Sequence, residues 1–342
     1  MGEGAQHTDP ETVDVVVIGM GPAGESVAGQ LAEAGLEVVG IDRQLVGGEC
    51  PYWGCVPSKM MIRAAHLLAE GRRIPGMAGK AEIAPDWGPV AERIRAEATD
   101  NWDDTVAVER FEGKGGHFVR GHGRLAGPGL VEVSGSDGVT RTFRATRGVV
   151  AATGTSAAVP PIPGLTETPY WTNHQAMETT EVPESLIVLG AGAIGLELAQ
   201  VMARFGSEVT LVEAMDRLAP REEPEVGQLV AEVFAAEGIS VHTGVAASSV
   251  GHDGERFTVT LDDGDELTTA RLLVATGRTV DLAGLGVTSV GLDPEARWLP
   301  VDEHLRATGT SSDLDLWAVG DLTGEGLFTH VGMYQADIAV AD

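Results

Sequence analysis

The sequence predicts an α/β chain of two Rossmann-like dinucleotide-binding domains, with a small antiparallel excursion from the first parallel sheet. Three observations predict it. The order strand, glycine-rich turn, helix, strand and terminal acid occurs over residues 13–42 and again over 185–213. Each copy opens on an apolar run rich in valine, isoleucine and leucine, as a strand buried on both faces requires. The ending Ala-Thr-Gly occurs at 152–154 and again at 275–277, each time after an apolar strand.

Residues 1–12 are polar and read as a disordered tail. Strand 13–18 leads into Gly19-Met20-Gly21-Pro22-Ala23-Gly24 and an alanine-rich helix to about Ala34. Gly19 permits the tight turn, Gly21 lets backbone approach a pyrophosphate, and Gly24 lets the helix pack on the strand. The second strand, 37–41, ends at Asp42, near the spacing at which an acid accepts ribose hydroxyls. A helix is expected over 58–70, a broken stretch over 71–85 around Pro75, Gly76 and Gly79, and a second helical pattern over 88–109. Residues 116–119, 130–133 and 141–144 read as strands of the antiparallel excursion, and 148–154 as a buried strand returning to the parallel sheet.

Pro160-Pro161-Ile162-Pro163-Gly164 is a stiff connector that marks a domain boundary. Beyond it come strand 186–189, the turn Gly190-Ala191-Gly192-Ala193-Ile194-Gly195, helix 196–205 and strand 208–212 ending at Glu213. A carboxylate there accepts the two ribose hydroxyls of NADH and repels the 2'-phosphate of NADPH, so NADH is favoured; Arg217 and Arg221 are the residues that would serve NADPH instead. Helix 225–237, strands 240–242, 257–261 and 271–274, a strand ending at Gly320-Asp321 and a helix over 327–340 complete the reading.

The chain of 342 residues has room for two or three cores, and its 46 glycines fit several tight phosphate turns. A net charge of -28 excludes nucleic acid and anionic membrane as partners, since both would repel it. No basic, apolar leader precedes the first strand and no apolar run is long enough to span a bilayer, so a cytoplasmic location is expected. The nine histidines show no ligand spacing with the two cysteines, so no metal site is expected.

Both cysteines lie in Gly47-Gly48-Glu49-Cys50-Pro51-Tyr52-Trp53-Gly54-Cys55-Val56-Pro57-Ser58-Lys59. On a regular helix two such positions are displaced by roughly 7.5 Å along the axis and face apart, beyond what a disulfide tolerates. The helix must therefore start or be distorted inside the stretch, and Pro51, Gly54 and Pro57 supply the irregularity.

This stretch resembles the redox-active disulfide segment of the pyridine nucleotide-disulfide oxidoreductases, the flavoprotein family of dihydrolipoamide dehydrogenase, glutathione reductase and mercuric reductase. The likeness covers Gly47-Gly48, the cysteine spacing and Val56-Pro57-Ser58-Lys59; it departs at Glu49 and at Pro51-Tyr52-Trp53. Five motifs follow the family's order, and dihydrolipoamide dehydrogenase is the nearest comparison because of Glu213. The resemblance implies FAD held by Gly19, Gly21, Pro22, Ala23, Gly24, Asp42, Arg43, Gly48, Lys59, Thr153, Gly154, Gly320 and Asp321. It implies NAD held by Gly190, Gly192, Ile194, Gly195, Glu213 and Gly277. Electrons would pass from nicotinamide through FAD to the Cys50–Cys55 disulfide and on to a small-molecule disulfide, with Cys55 facing the flavin, Cys50 exchanging with substrate, and Lys59 in a buried pair with Glu197. Implied boundaries are 13–158 for the FAD domain, 159–283 for an inserted NAD domain and 284–342 for the return to the FAD domain. The family's interface domain, which forms its homodimer, has no counterpart here, so a homodimer is expected of full-length members and not of this length. Reduction of a quinone, dye or mercuric ion, or redox sensing without turnover, are the alternatives.

Overall fold

The computed structural model describes residues 9–136, 138–310 and 315–342, so most of the expected disordered tail lies outside the described residues. In chain order the elements are β1 (Glu11–Ile18), α1 (Pro22–Glu33), β2 (Val38–Asp42), α2 (Glu49–Tyr52), α3 (Cys55–Arg73), α4 (Gly88–Arg93), α5 (Thr105–Glu112), β3 (His117–Arg120), β4 (His122–Gly127), β5 (Leu130–Ser134), β6 (Thr140–Ala151) and β7 (Ser156–Ala157). They continue with α6 (Asn173–Glu178), β8 (Ser185–Leu189), α7 (Ala193–Arg204), β9 (Glu208–Glu213), α8 (Pro224–Ala236), β10 (Ser240–Thr243), β11 (Ala247–His252), β12 (Phe257–Leu261), β13 (Glu266–Thr269), β14 (Arg271–Val274), β15 (Arg278–Thr279), α9 (Leu282–Leu285), β16 (Leu316–Ala318) and α10 (Thr329–Ala341). These group into two compact units. One comprises Met1–Cys50, Trp102–Ser156 and Thr279–Asp342; the other comprises Pro51–Asn101 and Ala157–Arg278.

In the first unit β3, β2, β1, β6 and β16 form a parallel sheet in that order. Valines 15 to 17 and Ile18 of β1 are buried on both faces of the sheet. Val16 and Ile18 join Val39, Ile41, Val131 and Phe143 on one side, while Val15 and Val17 meet Val27 and Ala28 of α1, Phe111 of α5 and Ala336 of α10 on the other. Burying each such side chain contributes about 1.5–3 kcal/mol, against at most about 1 kcal/mol for an exposed ion pair. Packing, not charge, therefore holds the unit.

β6 differs from the reading of its sequence. Residues 141–144 and 148–151 are one continuous strand that runs parallel to β1 from Phe143 onward, with its first half also antiparallel to β5 and its second half parallel to β16. The antiparallel excursion is therefore β4, β5 and the start of β6. β3, expected within that excursion, is instead the parallel edge of the main sheet, paired with β2. A strand entered from a helix, here α5, returns parallel, and strand periodicity alone does not encode that. β1 also begins at Glu11, two residues inside the expected tail.

The second unit has a parallel sheet, β10-β9-β8-β14, and an antiparallel sheet, β11-β12-β13. The latter packs Val250, Phe257, Val259 and Leu261 against Ile187, Leu189 and Val274. Its outer strands were not expected, because Ser248, Ser249 and Thr268 leave little apolar alternation to read. The single helix expected over 88–109 is also replaced, by α4, a π-helical turn over 94–98, a left-handed corner and α5. At the end of the π-helical turn the Thr99 hydroxyl donates back to the carbonyls of Ile94 and Arg95, and Asp100, Asn101 and Trp102 then adopt positive φ.

Phe143 is fully buried, whereas Phe328 is mostly exposed. Phe143→Ala should lower the unfolding free energy by about 3–5 kcal/mol and Phe328→Ala by less than about 0.5 kcal/mol, as read from denaturant melts.

Candidate functional site

Each unit carries a strand-to-helix glycine turn, and the two are built alike. Gly19 has φ 97° and Gly190 φ 103°, a conformation that glycine adopts without strain. A Cβ on Gly19 would lie 2.8 Å from the Thr153 Cα, and one on Gly190 would lie 3.0 Å from the Thr276 Cα. A Cβ on Gly24 would run into the Gly19 carbonyl, and one on Gly195 into the Gly190 carbonyl. Outer glycines are thus demanded by the protein itself.

The middle glycines are not. Gly21 has φ -68° and Gly192 φ -78°, both open to any residue, and a Cβ at either would meet no described atom within 4 Å beyond its chain neighbours. First-turn N–H groups of α1 and α7 face no intrahelical carbonyl, which makes these termini suitable for a phosphate.

Behind each turn stands the acid that ends the second strand. Asp42 accepts hydrogen bonds from Met20 N (2.7 Å) and Gln44 N (2.7 Å). Glu213 accepts them from Ala191 N (2.6 Å) and Met215 N (2.8 Å). In each unit one carboxylate therefore ties the glycine turn to the loop after the second strand. Burial pushes the Asp42 carboxyl above the usual carboxylate range, outweighing the two amides and the guanidinium groups of Arg120 and Arg43 that pull it down. Glu213 is 8% exposed.

Other expected residues of the first unit gather around the same turn. Pro22 is the first residue of α1, where its missing N–H costs nothing. Gly48, at φ 64°, comes so near Gly21 that a Cβ would sit 2.8 Å from the Gly21 Cα. Gly320 packs on Ala23, and Asp321 accepts a hydrogen bond from the Thr155 hydroxyl (3.1 Å). Gln335 of α10 fixes this corner by accepting from Gly320 N (2.7 Å). Thr153 and Arg43 are exposed, and Gly154 has φ 63°. In the second unit Ile194, in the first turn of α7, is 37% exposed, and Gly277 has φ 139°. The Arg217 guanidinium donates to the Pro220 carbonyl (2.8 Å), within its own loop.

The cysteine stretch breaks as its prolines and glycine require. α2 ends at Tyr52 and α3 begins at Cys55, with Gly54 between at φ -131°, ψ -115°. Both cysteines are thiols; Cys50 is half-buried and Cys55 exposed. Lys59, one turn on, is bound to both carboxylate oxygens of Glu197 at 2.8 and 2.9 Å. The pair was expected to be buried, but the side chains are 61% and 36% exposed, because both project from the surfaces of α3 and α7 within the second unit. Solvent screening limits such a pair to about 1 kcal/mol or less.

Three supporting groups escaped the sequence reading. Asp104, 8% exposed, accepts from Val46 N (2.6 Å) and pairs with Arg120, fixing the segment that leads to Gly48. Gln335 and Thr155 act on the Gly320-Asp321 corner as described. Each is a lone polar residue that only the fold brings to its partner. Among the described residues there is no group of three or more metal-ligating side chains, and no helix is long and apolar enough to cross a membrane.

Residues 13–342 match the family model described as pyridine nucleotide-disulphide oxidoreductase. The chain belongs to that family. It is 36% identical over 336 residues to a mercuric reductase of Acidithiobacillus ferrooxidans, covering 96% of this chain and 60% of that protein. It is 33% identical over 336 residues to a dihydrolipoyl dehydrogenase of Chlorobaculum tepidum, covering 96% and 69%. Of solved structures, LpdA from Mycobacterium tuberculosis aligns with a TM-score of 0.82 at 28% identity, covering 96% of this chain and 72% of that one. The HOCl-induced flavoprotein disulfide reductase RclA from Escherichia coli aligns with a TM-score of 0.78 at 26% identity, covering 95% and 69%. The chain thus spans about three fifths of the length of the first of these relatives, and identity alone does not choose between mercuric ion and lipoamide chemistry.

The glycine turns give a direct stability test. Gly24→Ala and Gly195→Ala should each cost about 1–3 kcal/mol through overpacking against the turn carbonyl. Gly21→Ala and Gly192→Ala should stay within about 0.5 kcal/mol of the parent in the ligand-free protein. Equal losses at all four positions would show that the middle glycines are held by the protein after all.

Proposed function

We propose that the chain is the nucleotide- and disulfide-bearing part of an NADH- and FAD-dependent disulfide oxidoreductase. The observation that carries this reading is the pair of middle glycines, Gly21 and Gly192, each kept free of a side chain where no protein atom needs the space. Two such side-chain-free turns at two helix N-termini suit two dinucleotides, one per unit. Gly19, Gly21, Pro22, Ala23, Gly24, Asp42, Arg43, Gly48, Thr153, Gly154, Gly320 and Asp321, all of the first unit, would hold FAD, and Gly190, Gly192, Ile194, Gly195, Glu213 and Gly277, all of the second, would hold NADH.

NADH is favoured over NADPH by Glu213, whose carboxylate opposes a 2'-phosphate, and by Arg217, whose guanidinium is engaged with the Pro220 carbonyl. When bound, the nicotinamide and flavin together supply two electrons, which reduce the Cys50–Cys55 disulfide to two thiols with uptake of two protons. The Cys50 sulfur, as thiolate, then attacks one sulfur of a small-molecule disulfide and expels the other as a thiolate. The Cys55 sulfur attacks the mixed disulfide, expels the second substrate thiol and restores the Cys50–Cys55 bond. Lys59 and Glu197 sit on α3 one turn beyond Cys55 and on the facing α7, so their ion pair positions the start of α3 within its unit.

Mercuric ion as the oxidised substrate is the second reading, favoured by the similarity to mercuric reductases. NADH oxidation measured with lipoamide, other disulfides, quinones and mercuric ion separates these acceptors. The FAD-loaded protein should lose disulfide reduction at least a hundredfold on Cys50→Ser while keeping its flavin, a loss on the order of that from removing a reacting group. Gly21→Ala should release the flavin, and Gly192→Ala should raise the KM for NADH without releasing it. Unchanged turnover in Cys50→Ser would remove that cysteine from the exchange.

A further inference from the structure

Four residues separate the cysteines, and one of them is held far more tightly than a linker requires. Trp53 is 8% exposed, and its ring face, its ring N–H and its carbonyl are all gripped by α6. Its indole lies face to face with the His174 imidazole, centroids 4.2 Å apart and planes at 4°. Its Nε1–H donates to Glu178 Oε1 at 2.7 Å. Its carbonyl accepts from Asn173 Nδ2 at 2.9 Å, and Asn173 is itself 5% exposed.

Sequence explains why that carbonyl needs a side-chain donor. In a continuing helix it would accept from the backbone N–H four residues on, but that residue is Pro57, which has none. The next carbonyl, that of Gly54, accepts from Ser58 N at 3.0 Å, so α3 takes up its ladder one residue later. Asn173 thus supplies the donor that proline withholds. α6 is itself held rigidly enough to do so, since a capping box between Thr172 and Gln175 fixes its N-terminus, and His174 and Glu178, one turn apart, lie on one face.

We propose that Trp53 is a positioning residue for the cysteine pair: α6 holds the backbone between Cys50 and Cys55 in the conformation from which the two sulfurs bond. This rests on the reading of that pair as a reversible disulfide. A loop already ordered in the dithiol state loses little freedom on closing, so the grip favours the disulfide and makes the pair a stronger reductant once reduced. Loosening the grip leaves the sulfurs in place chemically but lowers their effective concentration toward each other.

The test is a redox titration of the flavin-free chain with dithiothreitol. Oxidised dithiothreitol takes two electrons and two protons from the thiols as the Cys50–Cys55 bond forms, and the fraction oxidised is counted by alkylation and mass. Glu178→Ala and His174→Ala should each lower the equilibrium constant for disulfide formation by about tenfold, the weight of one good contact, which is about 30 mV toward a more positive potential. Trp53→Phe, which keeps a ring and the carbonyl but loses the N–H, should match Glu178→Ala, and the double variant should be no worse than either alone. Glu178→Gln and His174→Phe, which keep an acceptor and a ring, should stay within about twofold of the parent. Equal potentials in the parent and both alanine variants would overturn the proposal. A parent chain that forms no intrachain disulfide at any ratio would overturn the redox reading, and the proposal with it.

Discussion

One hydrogen bond, made twice, organises the chemistry of this chain: the carboxylate at the end of the second strand accepting the N–H that follows the first glycine of the turn. Asp42 does this to Met20 and Glu213 to Ala191. Both acids use their second oxygen on the loop beyond the strand, at Gln44 and Met215. The strand order places the acid beside the turn, and a charged acceptor makes the bond stronger than a neutral one. The outer glycines then bring helix and closing strand into contact, while a Cβ on the middle glycine would meet no described atom.

Much of this was legible in the sequence because its rules are local and steric. Glycine spacing, apolar runs and the distance from turn to acid are all read within about 25 residues, and both glycine turns formed where those signals lie. What the acids bind could not be read in the same way. A ribose partner is a property of the ligand, whereas their backbone partners depend on how two loops meet. Strand partnership was likewise hidden: β3 and the first half of β6 carry similar patterns, yet β3 pairs parallel with β2 whereas that half of β6 lies between parallel β1 and antiparallel β5. The left-handed corner at Asp100, Asn101 and Trp102 interrupts a helical pattern just where the Thr99 N–H and hydroxyl both turn back to the Ile94 carbonyl.

The cysteine stretch divides along the same line. Its broken helix follows from Pro51, Gly54 and Pro57 alone. The grip on Trp53 does not, since Asn173, which answers the missing N–H of Pro57, lies 120 residues away in sequence. Lys59 and Glu197 meet across α3 and α7, but their exposure makes them a surface pair and not the buried one that motif reading suggested. Energetically the segment is held by hydrogen bonds and ring stacking around Trp53 more than by that ion pair.

In the proposed reaction, two bound dinucleotides would feed electrons to these two sulfurs. It is tested most directly by counting thiols on the FAD-loaded, oxidised protein before and after one equivalent of NADH without oxygen, using alkylation and intact mass. Cys50 and Cys55, both unreactive beforehand, should each take up one alkyl group afterwards. A flavin that bleaches while the alkylated mass stays unchanged would contradict it.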